Sequence, residues 1–250
     1  MNKMNIIVAC EESQAITKEL RKLGHNAYSC DLLSTSGGHT EWHYKGDIFD
    51  IINKKKVTFI TEDNTKVKIQ KWDMMIAHPP CTFLAVSGAR WFYHPEDSHL
   101  PTSERRAHPK FPNRRKDQKD AIAFVKKLWS AKIDKIAIEN PIGVLSSSSL
   151  GKPTQIIQPW WFGDNATKTT CYWIKGLPNL KKNNQVEKKE LMGEKIEKGE
   201  VITLSSGKKM QKWYAEALAK SKTADERRTL RSKTFPNMAK AIAKQWTKNV

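Results

Sequence analysis

Asn5-Ile6-Ile7-Val8-Ala9-Cys10, then Glu11-Glu12-Ser13-Gln14, then a segment with Ala15, Ile16, Leu20 and Leu23 at helical spacing up to Gly24, then Ala27 to Cys30 and Asp31, decides the fold. The first run is short and unbroken in its apolar character, as a strand buried on both faces must be. Ser13 is placed to cap the helix that follows, and Gly24 to end it. Strand, helix and strand within about 27 residues make a βαβ unit, which is right-handed in nearly all proteins.

The pattern repeats outward. Lys56 to Ile60 and Lys66 to Gln70 alternate around Glu62-Asp63-Asn64 and predict a hairpin. Asp73 to Ala77 predicts another buried strand, ending at His78-Pro79-Pro80-Cys81. Residues 84–116, rich in Pro, His, Arg and Ser, predict a long loop, and such loops in compact domains usually serve function. A helix over 117–130 leads to a strand over Lys135 to Ile138, ending at Glu139-Asn140-Pro141. Residues 142–158 predict loop, Thr170 to Ile174 a strand, Ala224 to Arg231 a helix, and Pro236 the first turn of a last helix through Trp246. The alternation implies an α/β fold with a doubly wound, mostly parallel, seven-stranded sheet. Ligands of such sheets sit beyond the carboxyl ends of the strands, where Asp31, Pro80-Cys81 and Glu139-Asn140 all fall.

Composition narrows the function. A chain of 250 residues with 38% hydrophobic residues can bury a sizeable core. It has no apolar stretch of the roughly 20 residues that cross a bilayer, and its start lacks a signal-peptide layout, so a soluble, cytoplasmic protein is expected. The four cysteines form no Cys-x-x-Cys pair, against a zinc ribbon or redox dithiol. His94, His99 and His108 fit no standard metal spacing. The net charge of +18 lies wholly beyond residue 100, since residues 1–100 hold as many acidic as basic side chains. That asymmetry points to a polyanion as partner, and nine tryptophans suit stacking on exposed bases.

Two strand ends carry the chemistry. Cys81, behind two prolines that restrict its backbone, can act as a nucleophile if its thiolate is stabilised. Glu139, partly desolvated, can have a raised pKa and donate a proton. A thiolate that adds to C6 of a pyrimidine while an acid protonates N3 makes C5 nucleophilic.

These residues give the chain its resemblance to the DNA (cytosine-5) methyltransferase family, in particular to the short versions in bacteriophage genomes. His78-Pro79-Pro80-Cys81 with Phe83 resembles the family's Pro-Cys catalytic motif. Glu139-Asn140-Pro141 resembles its Glu-Asn-Val motif, and Gly46-Asp47-Ile48 the motif whose aspartate meets the cofactor adenine. The likeness covers residues 5–175 and the last helix. It implies a class I, Rossmann-like methyltransferase using S-adenosylmethionine, with Cys81, Glu139 and Lys168 catalytic. Glu11, Glu12, Ser13, Asp31, Asp47, Ile48 and Pro80 would hold the cofactor, with Glu11 or Glu12 receiving its ammonium and Asp31 its ribose. Base flipping, which such chemistry requires, would draw on Asn140, Arg90, Trp91, Arg105, Arg106, Arg114, Arg115 and Arg231 to bind DNA. Of these, Trp91, with Phe92 and Tyr93, would fill the gap left by the base. Arg231 belongs to a basic cluster with Arg227, Arg228 and Lys233.

The implied layout is a catalytic domain over 1–177, a short basic insert over 178–230 serving as a reduced target-recognition region, and a C-terminal helix over 231–250 that packs back on the catalytic domain. Double-stranded DNA is the implied partner of a monomer without metal, and restriction-modification in a phage-infected cell the implied setting. The chain departs from the family in its first loop, where Cys10 to Gln14 replace a glycine-rich turn, and in having only Lys168 where the family has a Gln-x-Arg-x-Arg strand. The residues alone leave two alternatives. One is an enzyme that modifies cytidine nucleotides. The other is an inactive, methyltransferase-like DNA-binding or counter-defence protein.

Overall fold

The run Asn5–Ala9 forms β1, an inner strand of a seven-stranded sheet in the computed structural model, which describes residues 2–248 without the side chains of Ala224, Asp225 and Arg228. Helix α1 (Ala15–Lys22) carries the chain to β2 (Asn26–Asp31), and β3 (His43–Lys45) pairs beyond it. After a short helix α2 (Phe49–Ile52), the strands β4 (Val57–Ile60) and β5 (Lys66–Ile69) form a separate antiparallel hairpin, with Asn64 at its tip in the left-handed region (φ 70°). The chain then crosses to the other side of β1, where β6 (Met74–Ala77) pairs with it and β7 (Lys135–Asn140) with β6, all parallel. Helix α3 (Arg114–Trp129) makes the crossover between β6 and β7.

The sheet closes with β8 (Gln155–Ile157) and β9 (Thr170–Lys175), giving the order β3-β2-β1-β6-β7-β9-β8 with β9 antiparallel to both neighbours. Residues 142–158 therefore contain an edge strand, not loop alone. The strand expected over Lys135 to Ile138 runs on through Glu139 and Asn140, because both pair with β9.

Alternation in β1 sends side chains to opposite faces. Ile7 joins the core beneath α2, α3 and the hairpin, and Ile6 and Val8 join the core beneath α1 and the last helix, α7 (Pro236–Thr247). Each of the three is fully buried, worth about 1.5–3 kcal/mol apiece in area removed from water. Trp246 of α7 packs edge-on against Tyr172 at 5.5 Å and donates its indole N–H to Pro178 O. Asp164 accepts from the N–H groups of Asn237 and Met238 and so caps α7.

Between β9 and α7 lie the helices α4 (Asn184–Leu191), α5 (Lys212–Lys220) and α6 (Ala224–Ser232) and the hairpin β10 (Val201–Thr203) to β11 (Lys209–Gln211). A capping box closes the start of α6, with Thr223 and Glu226 each satisfying the other's backbone N–H. Among the described residues, no helix is long and apolar enough to cross a membrane.

Candidate active site

The sheet reverses direction of growth between β1 and β6, and the crevice outside such a switch point is where ligands bind. A cavity of about 450 Å³ lies there. Its walls come from the carboxyl ends of four strands: Cys10 after β1, Cys30 and Asp31 of β2 with Leu32 after it, Gly46-Asp47-Ile48 after β3, and Pro80 and Phe83 after β6. Helix α3 closes it with Asp117, Asp120, Ala121 and Phe124, one face of the helix. Of the seven residues expected at a cofactor, Asp31, Asp47, Ile48 and Pro80 line this cavity. The α3 residues were not foreseen, although their spacing already placed them on one helical stripe. Burial raises the Asp31 carboxyl above its ordinary value, against hydrogen bonding from Leu33 N–H.

The other three expected residues have different places. Gln14, not Ser13, is the N-cap residue of α1, and it makes no side-chain cap. Glu11 caps instead: its carboxylate takes the N–H groups of Ile16 (2.6 Å) and Thr17 (3.3 Å) and the Thr17 hydroxyl (2.7 Å). Buried and turned inward, Glu11 has no place in the cavity wall and is not available to a ligand ammonium there. Glu12 uses its carbonyl to hold Thr35 and Ser36. The first loop turns without glycine because Cys10 (φ 57°) and Gln14 (φ 56°) take the left-handed conformation themselves. Gln14 is held there by hydrogen bonds to Ser29, His39 O and His39 N.

Next to the cavity, Cys81 follows Pro80 and is exposed at the rim. Although the residue as a whole is exposed, surrounding protein desolvates its sulfur, and with the charge of Glu139 this pushes the thiol up; Lys168 and Arg231 pull it back only in part. The resting group is therefore a thiol and not the stabilised thiolate the chemistry first suggests. The charges of Glu139, Lys168 and Arg231 all reach this thiol, so these three residues lie near Cys81. Lys168 donates to Arg231 O at 3.0 Å, and the Arg231 guanidinium lies 4.5 Å over the Tyr214 ring. Asn140 is buried and donates to Pro79 O at 2.9 Å, which ties the end of β7 to the turn before Cys81.

Glu139 corrects another expectation. Burial alone would raise its carboxyl, but a hydrogen bond from His78 and the charge of Lys168 outweigh that and hold it below the ordinary Glu value. The His78 Nδ1 lies 3.2 Å from Glu139 Oε2. An ionised carboxylate only accepts, so Nδ1 carries the hydrogen. His78 stood within the motif that pointed to Cys81, but nothing in the sequence assigned it a role.

The segment 84–116 is not a structureless loop. It holds two short 3₁₀ turns, Val86–Trp91 and Pro95–His99, and a bridge between Tyr93 and Ala107. Most of the arginines expected on DNA bind their own segment. Arg106 pairs with Asp97 at 2.6 Å, and Arg105 donates to Ser98 O and Leu100 O. Arg114 and Arg115 belong to α3. Arg114 is buried among Phe83, Phe92 and Phe111 and donates to Thr82 O, so it supports the turn after Cys81 and does not face a phosphate. Arg115 lies 4.4 Å over Tyr93 and donates to Arg105 O. Trp91 packs edge-on against His108 and Phe111, with exposed Arg90 4.6 Å over its ring. Phe92 is buried, and Trp91 and Tyr93 are half-buried beside it, so the trio packs within its own segment. Of the basic cluster near α6, the side chain of Arg228 lies outside the described residues.

No group of three or more His, Cys, Asp or Glu side chains that could hold a metal ion occurs among the described residues. The chain matches no model of a known protein family, and no curated protein matches it.

Proposed function

We propose that this chain methylates C5 of cytosine in DNA through a covalent bond between Cys81 and C6, with S-adenosylmethionine as donor. The observation that carries the reading is adjacency. Pro80 closes a cavity at the switch point, Cys81 follows it at the rim, and Glu139, on the neighbouring strand end, acts electrically on the Cys81 thiol. The seven-stranded, mostly parallel sheet supports the class I methyltransferase resemblance.

The cavity suits a nucleoside bearing a positive charge. Leu32, Ile48, Pro80, Phe83 and Phe124 give it apolar walls for a base, Asp31 and Asp47 offer acceptors for hydroxyl and amino groups, and Asp117 and Asp120 add negative charge. When bound, the cofactor supplies a methyl group on a sulfonium, an electrophile that carbon can attack. Cys81 loses its proton to water at the rim and bonds to C6, and the C5–C6 pair moves to C5. Glu139, a carboxylate at rest, takes up a proton from solvent and passes it to N3 as the addition proceeds, which removes the negative charge this addition would leave on the ring. Once C5 is methylated, water takes the C5 proton, the double bond re-forms, Cys81 leaves and N3 gives its proton back to the Glu139 carboxylate. Lys168, whose charge reaches both Cys81 and Glu139, orients this pair.

Duplex DNA is the substrate that fits the excess of positive charge beyond residue 100. On this reading Arg90 and Arg231 meet its backbone, and residues 178–230 serve as a reduced target-recognition region. The test is transfer of labelled methyl from S-adenosylmethionine to cytosine-containing duplex, with Cys81→Ala alongside. Label recovered as 5-methylcytosine with the parent alone is the expected result. DNA binding without transfer by the parent would refute the reading.

A further inference from the structure

The wall that α3 gives to the cavity runs along the cavity's length. Asp117, Asp120, Ala121 and Phe124 are spaced i, i+3, i+4 and i+7, a single stripe of the helix. At 1.5 Å per residue the stripe is about 10 Å long. Contacts fix its two ends. Phe124 packs edge-on at 5.4 Å against Phe49, the residue directly after Asp47-Ile48, so this end adjoins the Asp47 wall. At the other end Gln118 donates to Phe83 O (2.9 Å) and Arg114 to Thr82 O (2.8 Å). Asp117 therefore stands at the end nearest Cys81.

The cavity wall carries four carboxylates, those of Asp31, Asp47, Asp117 and Asp120, and no Lys, Arg or His. The whole chain holds 44 basic and 26 acidic residues, so the cavity reverses the charge of the molecule around it. Helical neighbours could neutralise the α3 pair. Arg114 stands three residues before Asp117 and Lys116 four before Asp120, spacings at which side chains meet. Yet among the described residues neither aspartate has a basic nitrogen within 4.0 Å. Arg114 gives its guanidinium to Thr82 O and to the rings of Phe83, Phe92 and Phe111. Two like charges one turn apart on a helix repel each other, and the facing wall adds two more. A positive charge brought by a ligand is what balances them.

We propose that Asp117 and Asp120 are specificity-determining residues that read the sulfonium charge of the cofactor, so that the cavity holds S-adenosylmethionine more tightly than S-adenosylhomocysteine. The proposal rests on the methyl-transfer reading above and deepens it. The methyl group has to reach C5 of a base bonded to Cys81, which puts the sulfonium at the Pro80–Phe83 end, beside Asp117. Asp31 and Asp47 meet hydroxyl and amino groups of adenosine, which donor and product share, so these two contacts do not tell them apart. The α3 pair does. Once the methyl has moved to C5, with the S–C electron pair left on sulfur, Asp117 and Asp120 face a neutral sulfide and hold the product less. Fresh donor then displaces product even where both are present at equal concentration.

The experiment is calorimetric titration of the full chain at low salt and about pH 7.5, with S-adenosylmethionine and separately with S-adenosylhomocysteine. Asp117→Asn, Asp120→Asn, the double variant and Asp47→Asn are titrated alongside. Asparagine keeps the shape of the side chain and removes its charge. Asp117 is half-buried and Asp120 exposed, so folding is not at stake. The parent should bind the donor at least about tenfold more tightly than the product, a ratio that one partly screened charge contact supplies. Asp117→Asn should weaken donor binding about tenfold and product binding less than about threefold. Asp120→Asn should act in the same sense but less, since it stands one turn farther from Phe83. The double variant should bring the two affinities within about threefold of each other, while Asp47→Asn weakens both ligands by the same factor. A double variant that weakens both ligands equally, or neither, overturns the proposal, and so does a parent that binds product as tightly as donor. A parent that binds neither ligand removes the methyl-transfer reading itself, and this proposal with it.

Discussion

Gly143 lies against Leu84 with no room for a side chain: a Cβ on Gly143 would run into the Leu84 carbonyl. Around this contact Val144 N–H donates to Leu84 O (2.9 Å) and Val86 N–H to Ile142 O (3.1 Å), and Ala85 bridges to Gly143. The turn that follows Cys81 is thereby tied to the turn that follows Glu139. The backbone of Gly143 is extended (φ −178°), so its requirement is for space and not for a left-handed conformation.

Gly143→Ala should therefore part the two turns. A clash with backbone cannot be relieved by a rotamer change, and overpacking of this kind costs typically about 1–3 kcal/mol. Thermal unfolding should show a lowered midpoint, and methyl transfer should fall more than DNA affinity does.

Cys81→Ala should abolish methyl transfer and leave DNA binding within about twofold of the parent. The cysteine makes the covalent bond, while the phosphate contacts that dominate affinity lie elsewhere. Labelled transfer and fluorescence anisotropy on the same duplex measure the two separately. Transfer by the variant at the parent's rate would remove Cys81 from the mechanism.

Asp31→Ala and Asp47→Ala should weaken S-adenosylhomocysteine binding without changing the fold. A hydrogen bond to a charged group is worth about 1.5–3 kcal/mol, and each 1.4 kcal/mol is about tenfold in affinity. Calorimetric titration should show a loss of tenfold or more for each variant. Glu11→Gln should act mainly on stability, because its carboxyl group caps α1 outside the cavity.

The arginines divide into two groups that a salt titration can separate. Arg90→Ala and Arg231→Ala should each reduce the slope of log affinity against log salt by about 1, the signature of one lost phosphate contact. Arg114→Met should leave the slope unchanged and lower the melting temperature, since its guanidinium is buried among Phe83, Phe92 and Phe111.

Acid should open the segment after Cys81 only at very low pH. Arg106 donates to Asp97 through both side chain and backbone and pulls its carboxyl from an ordinary 3.8 to about 2. A folded-state value below the unfolded one means that the pair stabilises the fold above about pH 4, and that this contribution fades as pH falls toward 2. Trp91 fluorescence should stay native at pH 4 in the parent. Asp97→Asn should loosen the segment at neutral pH, seen as faster proteolysis between residues 94 and 107.

The sequence by itself determined the framework. Unbroken apolar runs at Asn5–Ala9 and Met74–Ala77 can be satisfied only by strands covered on both faces, and the period of the intervening segments made helices of them. Polar residues at the ends of those runs then had to stand at one edge of the sheet, which put Asp31, Cys81 and Glu139 on a common rim before any contact was known. Pro236 marked the start of the last helix because a residue without an N–H fits a first turn.

Tertiary structure decided which charges are free to act. A basic residue in a polar loop gives no sign of whether it faces solvent or a partner within its own segment, so Arg105, Arg106 and Arg114 could not be told apart from Arg90. Likewise, no pattern along the chain shows that β6 inserts between β1 and β7, and it is that insertion which sets His78 beside Glu139, where its hydrogen bond helps hold the carboxyl below the ordinary Glu value. Periodicity reports which face of an element is buried. The state of a side chain depends on charges brought within a few ångströms from distant positions, and those are fixed only when the strands take their order.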